Sequence, residues 1–187
     1  YGAVLTHEPA TAILMTWYRN NVVHLLAFPS LIACLVVRRR RDLSRSQLET
    51  MLATVFPYIA VELSCKTDFN TGHCLDLLAS SGLIELTPDR LAPPIQDRRQ
   101  QPQHTLLANL VMPTLERMYI VISQMSAYDL NRDTLEPHVQ QLAQKISRLY
   151  GINAPEFSDR RLFDAFVDAL LADKVITTDD TGILHGQ

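Results

Sequence analysis

The chain has 187 residues, 47% of them hydrophobic and 20% charged, an ordinary balance for a globular protein large enough to bury a core. Its formal net charge of −3 argues against a dedicated nucleic-acid binder, whose phosphate contacts need a basic excess. Three cysteines, Cys34, Cys65 and Cys74, make no disulfide framework and point to a reducing, cytoplasmic setting.

The chain opens on YGAVLTHEPA, without Met and without a charged region ahead of an apolar stretch, so it reads as a fragment of something longer with no signal peptide. The first predicted element is a long apolar helix, Thr11–Val37. Its apolar run Val22–Val37 leads straight into Arg38, Arg39, Arg40 and Arg41. That run spans about 24 Å as a helix, short of the roughly 30 Å hydrocarbon core of a bilayer. Extending it backwards adds Arg19, Asn20 and Asn21, which are expensive in lipid. The pattern therefore predicts a buried helix, kinked or restarted at Pro29, rather than a membrane span. The four arginines are read either as a solvated helix end complementing the helix dipole or as cations facing anionic lipid, each contributing about 1 kcal/mol near the surface. Inside the same helix Tyr18, Arg19, Asn20 and His24 form a polar cluster, with Asn20 and His24 four residues apart on one face. Left unpaired in a core, such groups cost roughly 1–3 kcal/mol each, so they are satisfied within the chain or meet a partner domain.

Beyond this helix the chain repeats itself. LSRSQLE at Leu43–Glu49 returns as LNRDTLE at Leu130–Glu136, 87 residues later. Ser or Asn stands in each copy where an N-cap belongs. An amphipathic segment follows, then a second helical pattern, which the same offset opens at Leu75 and Leu162. Each copy closes on two short apolar runs joined by turn residues, LIELTPDRLAP and VITTDDTGILH. Each is also preceded by a long apolar helix, Thr11–Val37 or His104–Met125, and the second copy carries about five extra residues in GINAPEFSD. The fold expected is mainly α: two tandem helical modules, each ending in a winged-helix-like helix-helix-β-hairpin. Residues 1–95 hold the first helix and module, and 96–187 hold the linker, second long helix and second module, with APPIQDRRQQPQ as the linker.

Winged helices often bind DNA, but the helices that would enter the groove are poorly suited to it. TGHCLDLLASSG has no Lys or Arg, and SDRRLFDAFVDALLADK offsets Arg160 and Arg161 with Asp159, Asp164, Asp168 and Asp173. His73, Cys74 and Cys65 lack paired Cys-x-x-Cys spacing, so no metal site is assigned. There is no G-x-S-x-G elbow and no phosphate-cradling glycine loop, so neither a cofactor site nor a catalytic residue is assigned.

AILMTWYRNNVVHLLAFPSLIACLV and SRLYGINAPEFSDRRLFDAFVDALL resemble the C-terminal region of bacterial membrane-associated glycerol-3-phosphate acyltransferases. The match is carried by Tyr18, Arg19, Asn20, Asn21, His24, Pro29 and Ser30 and by YGINAPEF, Tyr150–Phe157, and extends from about residue 10 to about residue 178. The resemblance implies a full-length enzyme that moves an acyl group from acyl-carrier protein or acyl-CoA to the sn-1 hydroxyl of glycerol 3-phosphate. It also implies a peripheral protein on the cytoplasmic face of the inner membrane. The family's His-x-x-x-x-Asp motif is missing: five residues after His7, His24, His73, His104 and His138 stand Ala12, Pro29, Leu78, Asn109 and Ala143, and His185 lies too near the end. The chain is thus expected to be the non-catalytic accessory part, inactive alone, with the catalytic domain of the same enzyme and an anionic membrane surface as partners. In that setting Tyr18, Arg19, Asn20 and His24 become interdomain or phosphate-side candidates, and Arg38–Arg41 membrane-surface candidates. The rival reading is a standalone winged-helix protein-interaction or DNA-binding module.

Overall fold

The computed structural model describes residues 8–38, 43–88, 90–94, 100–152 and 154–186. The protein is mainly α-helical. Its elements in order are α1 (Pro9–Arg38), α2 (Arg45–Leu63), α3 (Thr71–Ser80), β1 (Glu85–Leu86), β2 (Leu91–Ala92), α4 (Gln100–Ala108), α5 (Met112–Ala127), α6 (Arg132–Tyr150), a 3-10 turn (Pro155–Ser158), α7 (Arg160–Ala172), β3 (Ile176–Thr178) and β4 (Leu184–Gly186). The strands form two separate antiparallel hairpins, β1–β2 and β3–β4. Two compact units result: the first is Val23–Glu116, and the second comprises the described residues of Tyr1–Val22 and Arg117–Gln187. Of the expected linker APPIQDRRQQPQ, residues 95–99 lie outside the described residues, whereas Ala92 ends β2 and the linker's last four residues open α4.

In the first unit, α2 starts at a capping box. Ser44 Oγ accepts from the Gln47 N–H, and Gln47 Oε1 accepts from the Ser44 N–H, both at 3.2 Å, satisfying two donors that a helix start leaves orphaned. The helix ends at Ser64 in the left-handed region, φ 52°. Its inward face, Leu48, Leu52, Phe56 and Ile59, packs in the core with Leu75, Leu31 and Ile32. Phe28 stands edge-on to Phe56 at 4.9 Å and stacks on Phe69 at 4.8 Å. Such pairs add about 0.5–1.5 kcal/mol beyond the area they bury.

Pro29 lies inside α1 without dividing it. The neighbouring Ser30 is fully buried, and its hydroxyl donates to the Leu107 carbonyl at 2.6 Å while accepting from the Val111 N–H at 3.2 Å. The second long helix, expected over His104–Met125, is instead two helices, α4 and α5. Pro113 is the second residue of α5, a position where its missing N–H removes no helical bond.

The second unit repeats α2, α3 and the β1–β2 hairpin of the first as α6, α7 and β3–β4. Asn131 caps α6 through the Thr134 N–H at 3.0 Å, and α6 ends at Gly151, φ 65°. Leu135 and Leu48 occupy the same position of the repeat, and neither is exposed at all. The residue before each cap ties the module's start to its last strand. Leu91 N–H donates to the Leu43 carbonyl at 2.8 Å, and Leu184 N–H donates to the Leu130 carbonyl at 3.0 Å.

The 87-residue offset does not persist to the end of the module. The turn after α3, where Leu83 N–H donates to the Leu78 carbonyl, recurs as Val175 N–H to Leu170, both at 2.9 Å and 92 residues apart. Gly82 and Lys174 hold the matching positive φ, 68° and 57°. Buried Leu75 is therefore the counterpart of buried Val167, not of half-buried Leu162. Of the five extra residues, three lengthen α7 relative to α3 and two lengthen the connection before it, which holds the 3-10 segment with its completely buried Phe157.

Candidate functional site

Of the polar residues singled out on α1, the side chains of Tyr18 and His24 are described. In the second unit Tyr18 is 63% exposed, and it shares α1 with exposed Leu14, Met15 and Val22. Positions 14, 15, 18 and 22 follow helical spacing, so this stretch carries an apolar face that the unit does not bury. The side chains of Arg19 and Asn20 lie outside the described residues. His24, in the first unit, is half-buried, and its backbone carbonyl accepts from Cys65 Sγ at 3.4 Å. Six residues separate Tyr18 from His24, which on a helix points them to different faces. Arg39, Arg40 and Arg41 lie outside the described residues, as does the side chain of Arg38.

Charge instead gathers in the second unit, between α6 and α7. Glu136, buried within the repeated motif, receives Arg132 Nε at 3.3 Å and the Arg160 guanidinium from α7. Arg132 also pairs with Asp168, and Arg160 lies 4.0 Å from Asp164. Burial would push the Glu136 carboxyl up, but hydrogen bonds from Asp164, Arg160 and Arg132 hold it below the usual carboxylate range. Asp164 shifts the other way, raised by burial and by its hydrogen bond and proximity to Glu136. Of the two carboxyls, Asp164 is the one whose protonated form the fold favours. In the first unit the equivalent pair, Arg45 and Glu49, lies 2.9 Å apart on an open surface. Sequence inspection found the motif but not this contrast, because Arg160 reaches Glu136 only through the packing of α7.

A second cation, Arg117, is almost wholly buried in the same unit, with its guanidinium carbon 6.0 Å above the Phe157 ring. The Asp159 carboxyl, which caps α7, is lowered chiefly by its hydrogen bond from Arg161, with Arg117 contributing. In the first unit His104 is buried, with Nδ1 against the Leu83 carbonyl and Nε2 without a hydrogen-bond partner. Burial lowers its pKa. These contacts join elements.

The cysteines are equally structural. None forms a disulfide; burial raises Cys65 and pushes Cys74 up to about 11. Cys34 is buried with Sγ 3.5 Å from Met112 Sδ. Among the described residues no group of three or more His, Cys, Asp or Glu side chains is placed to hold a metal ion. Among them, too, no single helix is long and apolar enough to cross a membrane. The pair Pro102–Ala108 and Met112–Ala127 meets that criterion only jointly, by length and composition.

One open cavity of about 250 Å³ lies in the second unit, lined by Ile122, Met125, Ser126, Leu170, Val175, Ile176 and Gly186. Its walls are mainly apolar, and the Ser126 hydroxyl donates to the Ile122 carbonyl at 2.9 Å. No side chain there is set up to polarise, deprotonate or attack a substrate.

The family described as glycerol-3-phosphate acyltransferase C-terminal region matches residues 1–179. Relatives include glycerol-3-phosphate acyltransferases of Pseudomonas entomophila (strain L48), 35% identical, and Ectopseudomonas mendocina (strain ymp), 32% identical. Each match takes in 98% of this chain and 23% of the relative, so the chain spans about a quarter of the length of the relatives it matches. No solved structure matches.

Proposed function

The chain belongs to the family of glycerol-3-phosphate acyltransferase C-terminal regions, and on that premise we propose that it is the accessory, non-catalytic part of a glycerol-3-phosphate 1-O-acyltransferase. The whole enzyme would acylate the sn-1 hydroxyl of glycerol 3-phosphate from acyl-carrier protein or acyl-CoA, forming lysophosphatidate. The observation that carries this reading is a match along almost the whole chain that takes in only 23% of each relative. A sequence without His-x-x-x-x-Asp supports placing the chemistry in the remaining part.

In this reading α1 meets the catalytic domain. Its exposed Leu14, Met15, Tyr18 and Val22 are suited to burial against another domain. Arg19, Asn20 and His24 are the polar partners of that contact, with Arg19 the group suited to a substrate phosphate. Arg38, Arg39, Arg40 and Arg41 would face anionic lipid on the cytoplasmic side of the inner membrane, where the enzyme would sit peripherally.

Acyl transfer to labelled glycerol 3-phosphate is to be compared in this chain, the full-length protein, and the full-length protein cut before Tyr1. An inactive chain, an active whole and a crippled truncation are expected. Full activity in the truncated protein would end the proposal that this region supports catalysis, and an active isolated chain would end the proposal that it is non-catalytic. Unchanged stability and KM for glycerol 3-phosphate in Arg19→Ala would remove Arg19 from the phosphate side. Vesicle flotation indifferent to both salt and replacement of Arg38–Arg41 by Ala would remove the membrane contact.

A further inference from the structure

The internal repeat supplies a comparison that neither copy gives alone. In the first unit the groove beside the helix–hairpin turn is filled by α4. That helix is fixed at both walls: His104 Nδ1 meets the Leu83 carbonyl at the turn, and the Leu107 carbonyl accepts from Ser30 Oγ on α1. His104 is 1% exposed, so its ring is held between α4 and the turn that Leu83 begins.

In the second unit the same flank is the open cavity. Val175, the counterpart of Leu83, forms one wall with Leu170 and Ile176. Ile122, Met125 and Ser126 of α5, the helix that precedes this module as α1 precedes the other, form the opposite wall. Ile122 is 49% and Val175 43% exposed, whereas Leu83, the counterpart of Val175, is half-buried.

We propose that this cavity docks a short amphipathic helix from the part of the longer polypeptide outside these 187 residues, in the position that α4 takes in the first unit. The occupant presents two or three apolar side chains and one side-chain N–H donor to the Val175 carbonyl, as His104 presents Nδ1 to Leu83. The lining favours a helix over a small molecule, because no convergent polar groups fix an orientation. A helix laid in an apolar groove needs only side-chain knobs at helical spacing. The source is set by the first unit, where the chain covers the groove itself, and by the more than three-quarters of each relative that lies outside the match. The inference takes from the proposed function only that this chain is one part of a longer protein.

The test uses the full-length protein with a benzophenone amino acid at Ile122, irradiated and mapped by peptide mass spectrometry. A cross-link within one polypeptide to a helical segment outside these 187 residues is expected, with loss of that cross-link in Val175→Lys. Hydrogen exchange of Ile176–Gly186 should then be slow in the wild type and faster in Ile122→Glu. A dimer-sized product joining two copies of this cavity, a cross-link to lipid, or capture of a separate protein would each overturn the assignment of the occupant. No cross-link together with unprotected Ile176–Gly186 amides would overturn the docking itself. Wild-type acyl transfer measured on the same preparation keeps the two proposals apart, since its absence would end the acyltransferase reading while leaving the mapped cross-link intact.

Discussion

Arg160 on α7 reaches across to the buried carboxylate of Glu136 on α6, so the charged end of one helix is neutralised by the first residue of the next. The same motif position in the first unit, Glu49, has only its own-helix Arg45. Breaking a partly buried charged hydrogen-bond network costs roughly 1.5–3 kcal/mol, against about 0.3–0.5 kcal/mol for an exposed i,i+4 pair. Because Arg132 and Arg160 remain well exposed, the lower end applies. Glu136→Ala should therefore lower the urea midpoint clearly and Glu49→Ala barely. Equal losses would show that burial of Glu136 adds nothing.

Asp164 carries the opposite sign. Burial and the neighbouring Glu136 raise its carboxyl above the usual 3.8, so folding favours its protonated form. That favourable contribution is fully present below the unfolded value and is lost as pH rises through the folded value. Asp164→Asn supplies a permanently neutral donor, so its thermal midpoint should match or exceed the wild type at pH 7, with the advantage gone below about pH 4. A lower midpoint at pH 7 would mean that an ionised Asp164, paired with Arg160, stabilises the fold.

His104 makes the first unit sensitive to acid. Its pKa is lowered from 6.5 by burial, against the opposing bond to Leu83. The unfolded chain then binds the proton more readily, so the stability His104 contributes is present above pH 6.5 and is lost as pH falls through the lowered folded value. His104→Asn keeps an N–H donor for the Leu83 carbonyl without titrating. The difference between urea midpoints at pH 7.5 and pH 5.5 should shrink in this variant. An unchanged difference would assign the acid response elsewhere.

Asp179 organises the second hairpin's turn. It accepts from the Thr181 hydroxyl at 2.7 Å, from the Thr181 and Ile183 N–H groups at 2.9 Å, and from His185 Nε2 at 2.9 Å. These hold its carboxyl far below the usual range, with the Thr181 bond foremost. Asp179→Ala should speed amide exchange at Thr181 and Ile183 while leaving α6 protected. Asp179→Asn should retain part of the protection. Equal protection in all three proteins would show that Gly182, at φ 83°, suffices to set the turn.

Most of the element order was legible because it rests on local signals. The caps Ser44 and Asn131, the left-handed stop at Gly151 and the Thr-Gly turn each act within a few residues. Pro113 misled the reading of a single long helix, since a proline at a helix start and one inside a helix look alike until the break at Asn109–Val111 is seen. Leu75 was paired with Leu162 because a fixed offset cannot register a one-turn extension of α7. The charged network stayed hidden for a different reason. Arg160 and Glu136 lie 24 residues apart, and only the packing of α7 on α6 brings them together. The α1 cluster was legible as polar residues in an apolar helix, yet Tyr18 faces outward, a fact that composition does not carry.

The backbone bonds exchanged by Leu43 and Leu91, and the one from Leu184 to Leu130, give each module a clasp. They span 48 and 54 residues, the separation between a module's first residue and its last strand. A module whose entrance and exit are hydrogen-bonded to each other disturbs its surroundings at a single point of the chain, whatever lies between. Such a unit can be copied in tandem without rebuilding either neighbour, because the duplicate needs only a connector and no new partner for its edges. It can also lengthen internally, as the five residues ahead of Val167 did, since closing a somewhat longer loop adds only a few tenths of a kcal/mol at most. The clasp thus lets the two copies share a framework while one acquired a buried carboxylate and an open flank that the other lacks.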